Sequence, residues 1–433
     1  MRGQKASFEE LAGYCGFDSL PEGLSVFYEA YPGSSEPYFI DRGFLAEVFS
    51  RFSLPQKERD LILNGVSAVE KDEKLLYFSQ FLVWDMCSAR NRCDVDNYQS
   101  LTPACLPEYG TLYSFLLLLA CVRPAMELLR KRGVPEEAYR DIPYQPMKRQ
   151  LEKLVRTGEQ TVGDFPWDMN FYTCAIYLFD RFLFIPCPFG EDFTMYRNQN
   201  SRKVSALWRA GETFRRDGQL DGVNNVFDKT GKFASRWEES EETITANRVN
   251  PVGFVEKEPV TLLKKDWAPV LQKGDILLAV HVPSGPGYTP ERLKNSMELA
   301  LAFYDRYFPE LPVRGFWSES WLYDPRLSLI LDPQKSNIVR VQRQFYLYPI
   351  PEGDGMLRYE VFGGWKADPE KVPLITSLQK AAAAYMKSGR RFHTTSMIVL
   401  REDVAKMPEM PYITPEDLTR FAGIADSHLK AEE

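Results

Sequence analysis

The chain has 433 residues, 44% hydrophobic and 26% charged. Those are globular proportions, and at roughly 100–200 residues per domain they predict two or three parts. With 53 Lys and Arg against 60 Asp and Glu, the formal net charge is −7; no basic block is present, so neither nucleic acid nor a membrane is an expected partner.

Along the chain, the opening MRGQKASFEELAGYCGF lacks the apolar stretch of a secretory signal. Segments Phe44–Phe52, Gln56–Val69, Leu75–Ala89, Thr111–Arg132 and Pro146–Thr157 place apolar residues at three- and four-residue spacing. That spacing predicts a helical domain over residues 1–165. Its longest apolar run, Phe115–Val122, has eight residues, against about 20 for a bilayer. Pro124 should kink or restart the helix around it. Seven cysteines without a C-x-x-C pair read as reduced thiols in a cytoplasmic protein. His281, His393 and His428 are too scattered for a local zinc motif, so no metal is expected. Asp94-Val-Asp96 matches a D-x-D metal motif but sits in a polar connection of the helical half.

From residue 166 to about 405, runs rich in aromatic and β-branched residues replace the helical pattern: Ile176–Ile185, Phe193–Tyr196, Val204–Arg209, Thr243–Val249, Ile276–Val282 and Val313–Trp321. They predict a sheet domain, and residues 406–433 a tail with a short helix. Alternation over Ser336–Pro349, a turn at Pro351–Gly355 and the run Met356–Phe362 predict a long antiparallel hairpin. Ile276–Val282 is apolar almost throughout and should be a central strand. After it, Thr289 is a good N-cap, Pro290 suits the first helical position, and Leu293, Met297, Ala300, Leu301 and Tyr304 form one apolar stripe.

A buried strand leading through a glycine loop into a capped helix presents free backbone N–H groups to an anion. The loop Ser284–Thr289 (SGPGYT) is therefore the leading candidate site. Gly285 and Gly287 would let the backbone approach a diphosphate, with Ser284 and Thr289 hydroxyls as further donors; an ordinary strand-to-helix turn needs glycines for the same reason. His281, at the strand's end, is a candidate base with pKa near neutrality, or a structural histidine. Glu319, in an aromatic strand predicted to lie beside the first, is a candidate base with raised pKa, or an outward-facing or ion-paired residue. Tyr323 is a candidate general acid among 22 tyrosines. Ser377-Leu-Gln-Lys380 matches S-x-x-K without the other parts of such a site.

The stretches LQKGDILLAVHVPSGPGYTPERLKNSMELALAFYDRYFPE (271–310), GFWSESWLYDPRLSLIL (315–331) and SNIVRVQRQFYLYP (336–349) resemble a bacterial family of acyltransferases. In that family a helical N-terminal domain precedes a GNAT-like C-terminal domain. His281, Pro283, Gly285, Thr289, Pro290 and Glu291 match its first motif, and Ser320, Trp321, Leu322 and Pro325 its second. The resemblance implies an α+β fold, an α-helical domain followed by a GNAT-like mixed-sheet domain. It implies acyl-CoA as co-substrate, its diphosphate held by the backbone of Val282, Ser284, Gly285, Gly287, Tyr288 and Thr289. It further implies transfer by direct attack to an amine or hydroxyl of a small molecule, with His281 and Glu319 facing the acceptor. The loop lacks the leading Gln or Arg of well-studied GNAT enzymes. Two alternatives follow: a non-catalytic acyl-CoA or nucleotide-binding module, and a scaffolding protein.

Overall fold

Four helix starts in the N-terminal half are set by short polar side chains. Ser7, Asp41, Asp72 and Asp164 each accept an N–H from the first turn that follows, satisfying donors that a helix leaves open. The helices are α1 (Phe8–Cys15), α2 (Leu24–Ala30), α3 (Arg42–Arg51), α4 (Gln56–Lys71), α5 (Glu73–Met86), α6 (Gly110–Lys131), α7 (Tyr144–Thr157) and α8 (Phe165–Tyr172). They belong to a computed structural model that describes residues 6–88 and 98–426. The chain divides into two units, Met1–Leu178 with Ile185–Cys187, and Phe179–Phe184 with Pro188–Glu433.

In the first unit, the Tyr28 ring meets Phe8 and Phe81 edge to face, Phe78 lies tilted against both Phe8 and Phe81, and α5 packs on α6. The α6 helix is long and apolar enough to cross a membrane by length and composition, but most of it is buried inside the protein. The helix runs on through Pro124 without restarting. Asp94 and Asp96 lie outside the described residues. The six described cysteines are free thiols.

After the helices the chain forms two six-stranded sheets and one two-stranded sheet. Its strands, in chain order, are β1 (Tyr177–Phe179), β2 (Phe182–Pro188), β3 (Phe193–Asn198), β4 (Val204–Trp208), β5 (Thr213–Phe214), β6 (Phe233–Ala234), β7 (Trp237–Glu239), β8 (Thr243–Asn250), β9 (Phe254–Leu263), β10 (Trp267–Leu271), β11 (Ile276–His281), β12 (Gly315–Ser320), β13 (Tyr346–Pro349) and β14 (Thr395–Leu400). One sheet has the order β1-β2-β11-β12-β14-β13; the other runs β10-β3-β4-β8-β7, with β9 on β8. The apolar run 176–185 is thus two strands, broken at Asp180 and Arg181, where Asp180 takes a φ of 51°. The sheets face each other through Tyr346 and Tyr348. The Tyr346 hydroxyl accepts the Ala206 N–H at 3.0 Å and donates to the Val249 carbonyl; the Tyr348 ring meets Phe193 edge to face at 4.9 Å.

The central strand is as expected, and α9 (Pro290–Tyr307) carries the chain from β11 to β12 as a parallel crossover. The helix starts on Thr289, whose hydroxyl accepts the Arg292 N–H at 3.3 Å. The expected hairpin over 336–362 is not formed. Ser336 caps a short helix, α10 (Asn337–Gln342), β13 pairs with β14, and residues 355–362 are a helix, α11 (Gly355–Phe362). Gln342 turns inward to donate to the Asp324 carbonyl at 2.6 Å. A polar residue read as the wet face of a strand is instead a buried helix anchor. Ser377-Leu-Gln-Lys380 opens α12 (Ser377–Lys387), where Thr376 and Gln379 form a capping box. The closing helix α13 (Pro415–Asp426) packs Phe421 against Val252 and Phe254.

Candidate functional site

The parallel ladder of β11 and β12 runs from Leu277 opposite Gly315 to Ala279 opposite Trp317. Beyond that rung both strands continue, to His281 and Ser320, while β12 stays paired to β14 as far as Ser320 opposite Thr395. Two parallel strands that separate while still extended leave main-chain donors and acceptors along a wedge, the edge an extended ligand can join. The loop Ser284–Thr289 lies at the end of β11.

Within that loop, the Thr289 N–H is committed to the Gly287 carbonyl at 3.1 Å. Among the described residues, no acceptor takes the N–H groups of Ser284, Gly285, Gly287 or Tyr288. Gly285 and Gly287 hold φ of 116° and 94°, a region closed to most side chains. Thr289 does not add the expected donor, because its hydroxyl is used as the N-cap. Tyr288 contributes only its amide; its ring turns inward beside Phe182, and its buried hydroxyl lies next to Tyr323 without an aligned hydrogen bond.

The cation missing from the loop itself comes from elsewhere. Arg181, in the turn between β1 and β2, donates through Nη2 to the Pro283 carbonyl at 2.8 Å and the Gly285 carbonyl at 2.6 Å. Arg292, one turn into α9, is paired with Asp180, and its Nη1 lies 2.3 Å from where a Cβ on Gly287 would stand. Two guanidinium groups therefore flank the free amides. Sequence reasoning missed both arginines. The signal available was Asp180-Arg181 interrupting an apolar run, which marks a turn.

Side-chain alternation assigns the remaining candidates to faces. Ala279 and His281 share a face with Trp317 and Glu319, together with Ser396 and Tyr348 across β14 and β13. The opposite face carries Ser318, which accepts a hydrogen bond from the Tyr323 hydroxyl at 3.1 Å. His281 and Glu319 therefore fall on one face of the sheet, and Ser318 with Tyr323 on the other. Tyr323 is fully buried, and burial pushes its hydroxyl up to about 12.

His281 is not the near-neutral base expected. Desolvation lowers it to about 4, so the imidazole is neutral at pH 7 but weakly basic. Glu319 moves the other way: the surrounding protein, and then the Glu352 carboxylate, raise its pKa, although its side chain reaches solvent. A carboxylate is a better proton acceptor when its pKa rises toward the working pH. Beside it, the Trp317 indole N–H donates to the Tyr348 hydroxyl at 2.6 Å, which donates to Glu191 at 3.3 Å. Among the described residues, no group of three His, Cys, Asp or Glu side chains is placed to hold a metal ion.

Two open clefts stand out among the described residues. One of about 370 Å³ is in the helical unit, around Trp84 and Arg123. One of about 230 Å³ is at the opposite end of β11 and β12, by Asp275 and Arg314.

A helical domain followed by a sheet that splays at a crossover is the architecture of a two-domain acyltransferase. Residues 43–174 match the N-acyltransferase N-terminal domain, and residues 201–398 match the GNAT-like C-terminal domain. The chain belongs to the acyltransferase family that joins these two domains. The comparison with curated proteins returned no match. Among solved structures, an acyltransferase in complex with decanoyl-CoA and teicoplanin is 18% identical, with a TM-score of 0.50, covering 91% of this chain and 99% of its own. An acyltransferase in complex with decanoyl-CoA alone is 16% identical over the same shares, also at 0.50. At these identities the likeness is one of fold.

Proposed function

We propose that the chain transfers an acyl group from acyl-CoA to an amine or hydroxyl of a small molecule by direct attack. One observation carries this reading: β11 and β12 part beyond Ala279 and Trp317 next to a loop whose amides are uncommitted and flanked by Arg181 and Arg292. The diphosphate of CoA would sit on the Ser284–Tyr288 amides, where oriented N–H groups and a helix N-terminus favour negative charge. The pantetheine arm would lie in the wedge, and the thioester carbonyl would accept the N–H of residues 281–282, which stabilises its developing negative charge. The acceptor nitrogen or oxygen attacks that carbonyl. Its new bond to carbon forms as the carbon–sulfur bond breaks, Glu319 takes the acceptor's proton, and CoA leaves as thiolate to be protonated. His281, neutral, lines the acceptor side. The match to two acyltransferase domain families supports this reading, as does the fold shared with acyltransferases crystallised with decanoyl-CoA.

The test is calorimetric titration with octanoyl-CoA, followed by CoA thiol release with a panel of amines. Arg181→Ala removes a cation and two loop hydrogen bonds, so octanoyl-CoA should bind about tenfold more weakly, worth roughly 1.4 kcal/mol. Unchanged affinity in that variant would count against the loop as the diphosphate site. Binding without thiol release to any acceptor would favour a non-catalytic binding module.

A further inference from the structure

Past the end of β12, charged side chains form a closed circuit inside the protein. Asp324 is wholly buried. One of its carboxylate oxygens accepts the Arg326 N–H at 3.0 Å and Nη1 at 3.3 Å, and the other accepts the His393 N–H at 2.6 Å. The Arg326 guanidinium lies 3.8 Å from Asp217. Asp217 takes Arg215 through both oxygens at 3.1 Å, and Arg215 Nη2 meets His393 Nε2 at 3.2 Å. Arg215, Asp324, Arg326 and His393 are all buried. Buried ion pairs add little stability over apolar packing; what this circuit fixes is position.

Its anchor points bracket two strands. Asp324 follows β12, which ends at Ser320, and His393 precedes β14, which begins at Thr395. The neighbours of His393 are held as well: the Phe392 carbonyl accepts Asn224 Nδ2 at 2.8 Å, and the Thr394 N–H donates to the Gly353 carbonyl at 2.9 Å. The Asp324 carbonyl accepts Gln342 Nε2, from α10, at 2.6 Å. One residue therefore joins the turn after β12, the approach to β14 and α10. The wedge depends on this corner, because β12 leaves β11 after Trp317 yet stays on β14 as far as Ser320 opposite Thr395. Were Glu319 and Ser320 free to swing toward β11, the gap would narrow and the Glu319 carboxylate would move with it.

We infer that Asp324 is a positioning residue: by joining the turn after β12 to the approach of β14, it keeps Glu319 and Ser320 on the β14 side and so fixes the width of the wedge. This rests on the acyltransferase reading above, in which the wedge takes the pantetheine arm and Glu319 takes the acceptor's proton. Asp324, buried beneath the turn, acts through the strand it holds.

Asp324→Asn keeps the shape but offers one acceptor oxygen in place of two, so Arg326 or the His393 N–H is left facing an amide N–H. Two measurements on the full chain read the consequence. Amide hydrogen exchange should quicken about tenfold over residues 318–320 and 395–397 and stay unchanged over 277–279, since a local opening exposes only the segment it releases. Thiol release with an amine acceptor, expressed per octanoyl-CoA site counted by calorimetry, should fall about tenfold or more, because a misplacement of about 1 Å can cost on the order of 10²-fold. Octanoyl-CoA affinity should change little, the loop at 284–288 and Arg181 being untouched. A purely structural role predicts fewer sites with normal turnover at each; that result, or exchange that rises evenly along the chain, overturns the inference. Gln342→Leu removes only the bond to the Asp324 carbonyl and should show the same pattern with a smaller amplitude, which covers the case in which Asp324→Asn folds poorly; wild-type exchange and turnover in Gln342→Leu overturn the inference. Wild type that binds no octanoyl-CoA sinks the acyltransferase reading, with the exchange pattern still reporting whether Asp324 holds the strand. Turnover per site that survives in Asp324→Asn sinks the positioning role alone.

Discussion

His281 links the site to a measurable property of the whole chain. Burial lowers its pKa from 6.5 to about 4, so the native state holds the ring neutral where the unfolded chain would protonate it. A group whose folded pKa is depressed contributes stability at pH above its unfolded value and loses it as pH falls toward the folded value. The window therefore runs from about pH 6.5 down to about pH 4. A shift of that size corresponds to about 3 kcal/mol in full, and about 2 kcal/mol is already lost at pH 5. Urea unfolding of wild type and His281→Gln at pH 7.5, 6 and 5 reads the effect. Other groups titrate in the same range, among them the buried His393, whose pKa is also lowered. The comparison between the two proteins isolates His281. The variant should lose about 2 kcal/mol less than wild type between pH 7.5 and pH 5. Parallel pH profiles would refute the claim that the ring is held neutral by burial.

Glu319→Gln keeps the shape of the side chain and removes the proton acceptor. Thiol release should fall roughly 10²–10⁴-fold while octanoyl-CoA affinity changes little, which single-turnover kinetics beside calorimetry will separate. Tyr346→Phe strands the Ala206 N–H and the Val249 carbonyl between the two sheets. It should cost about 2–4 kcal/mol, read as a drop in the urea midpoint with an unchanged slope.

Much of the architecture was legible in the chain because local rules set it. Three- and four-residue spacing marked the helices of the first unit. An unbroken apolar run marked the central strand Ile276–His281, and Thr289-Pro290 marked the start of the crossover helix. The Ser336–Phe362 hairpin was misread because Val339, Val341 and Phe345 fit a strand's alternation, while the inward turn of Gln342 depends on a distant carbonyl, that of Asp324.

What the sequence determined by itself was the kind of loop at 284–289 and the strand that delivers it, since glycine conformations and helix caps are short-range properties. Tertiary structure alone decided what surrounds that loop. Arg181 reaches the loop across 102 positions of chain. A pKa depends on everything packed around a group, so the near-neutral pKa expected of His281 gave way to one lowered by burial only once the ring was placed in the fold.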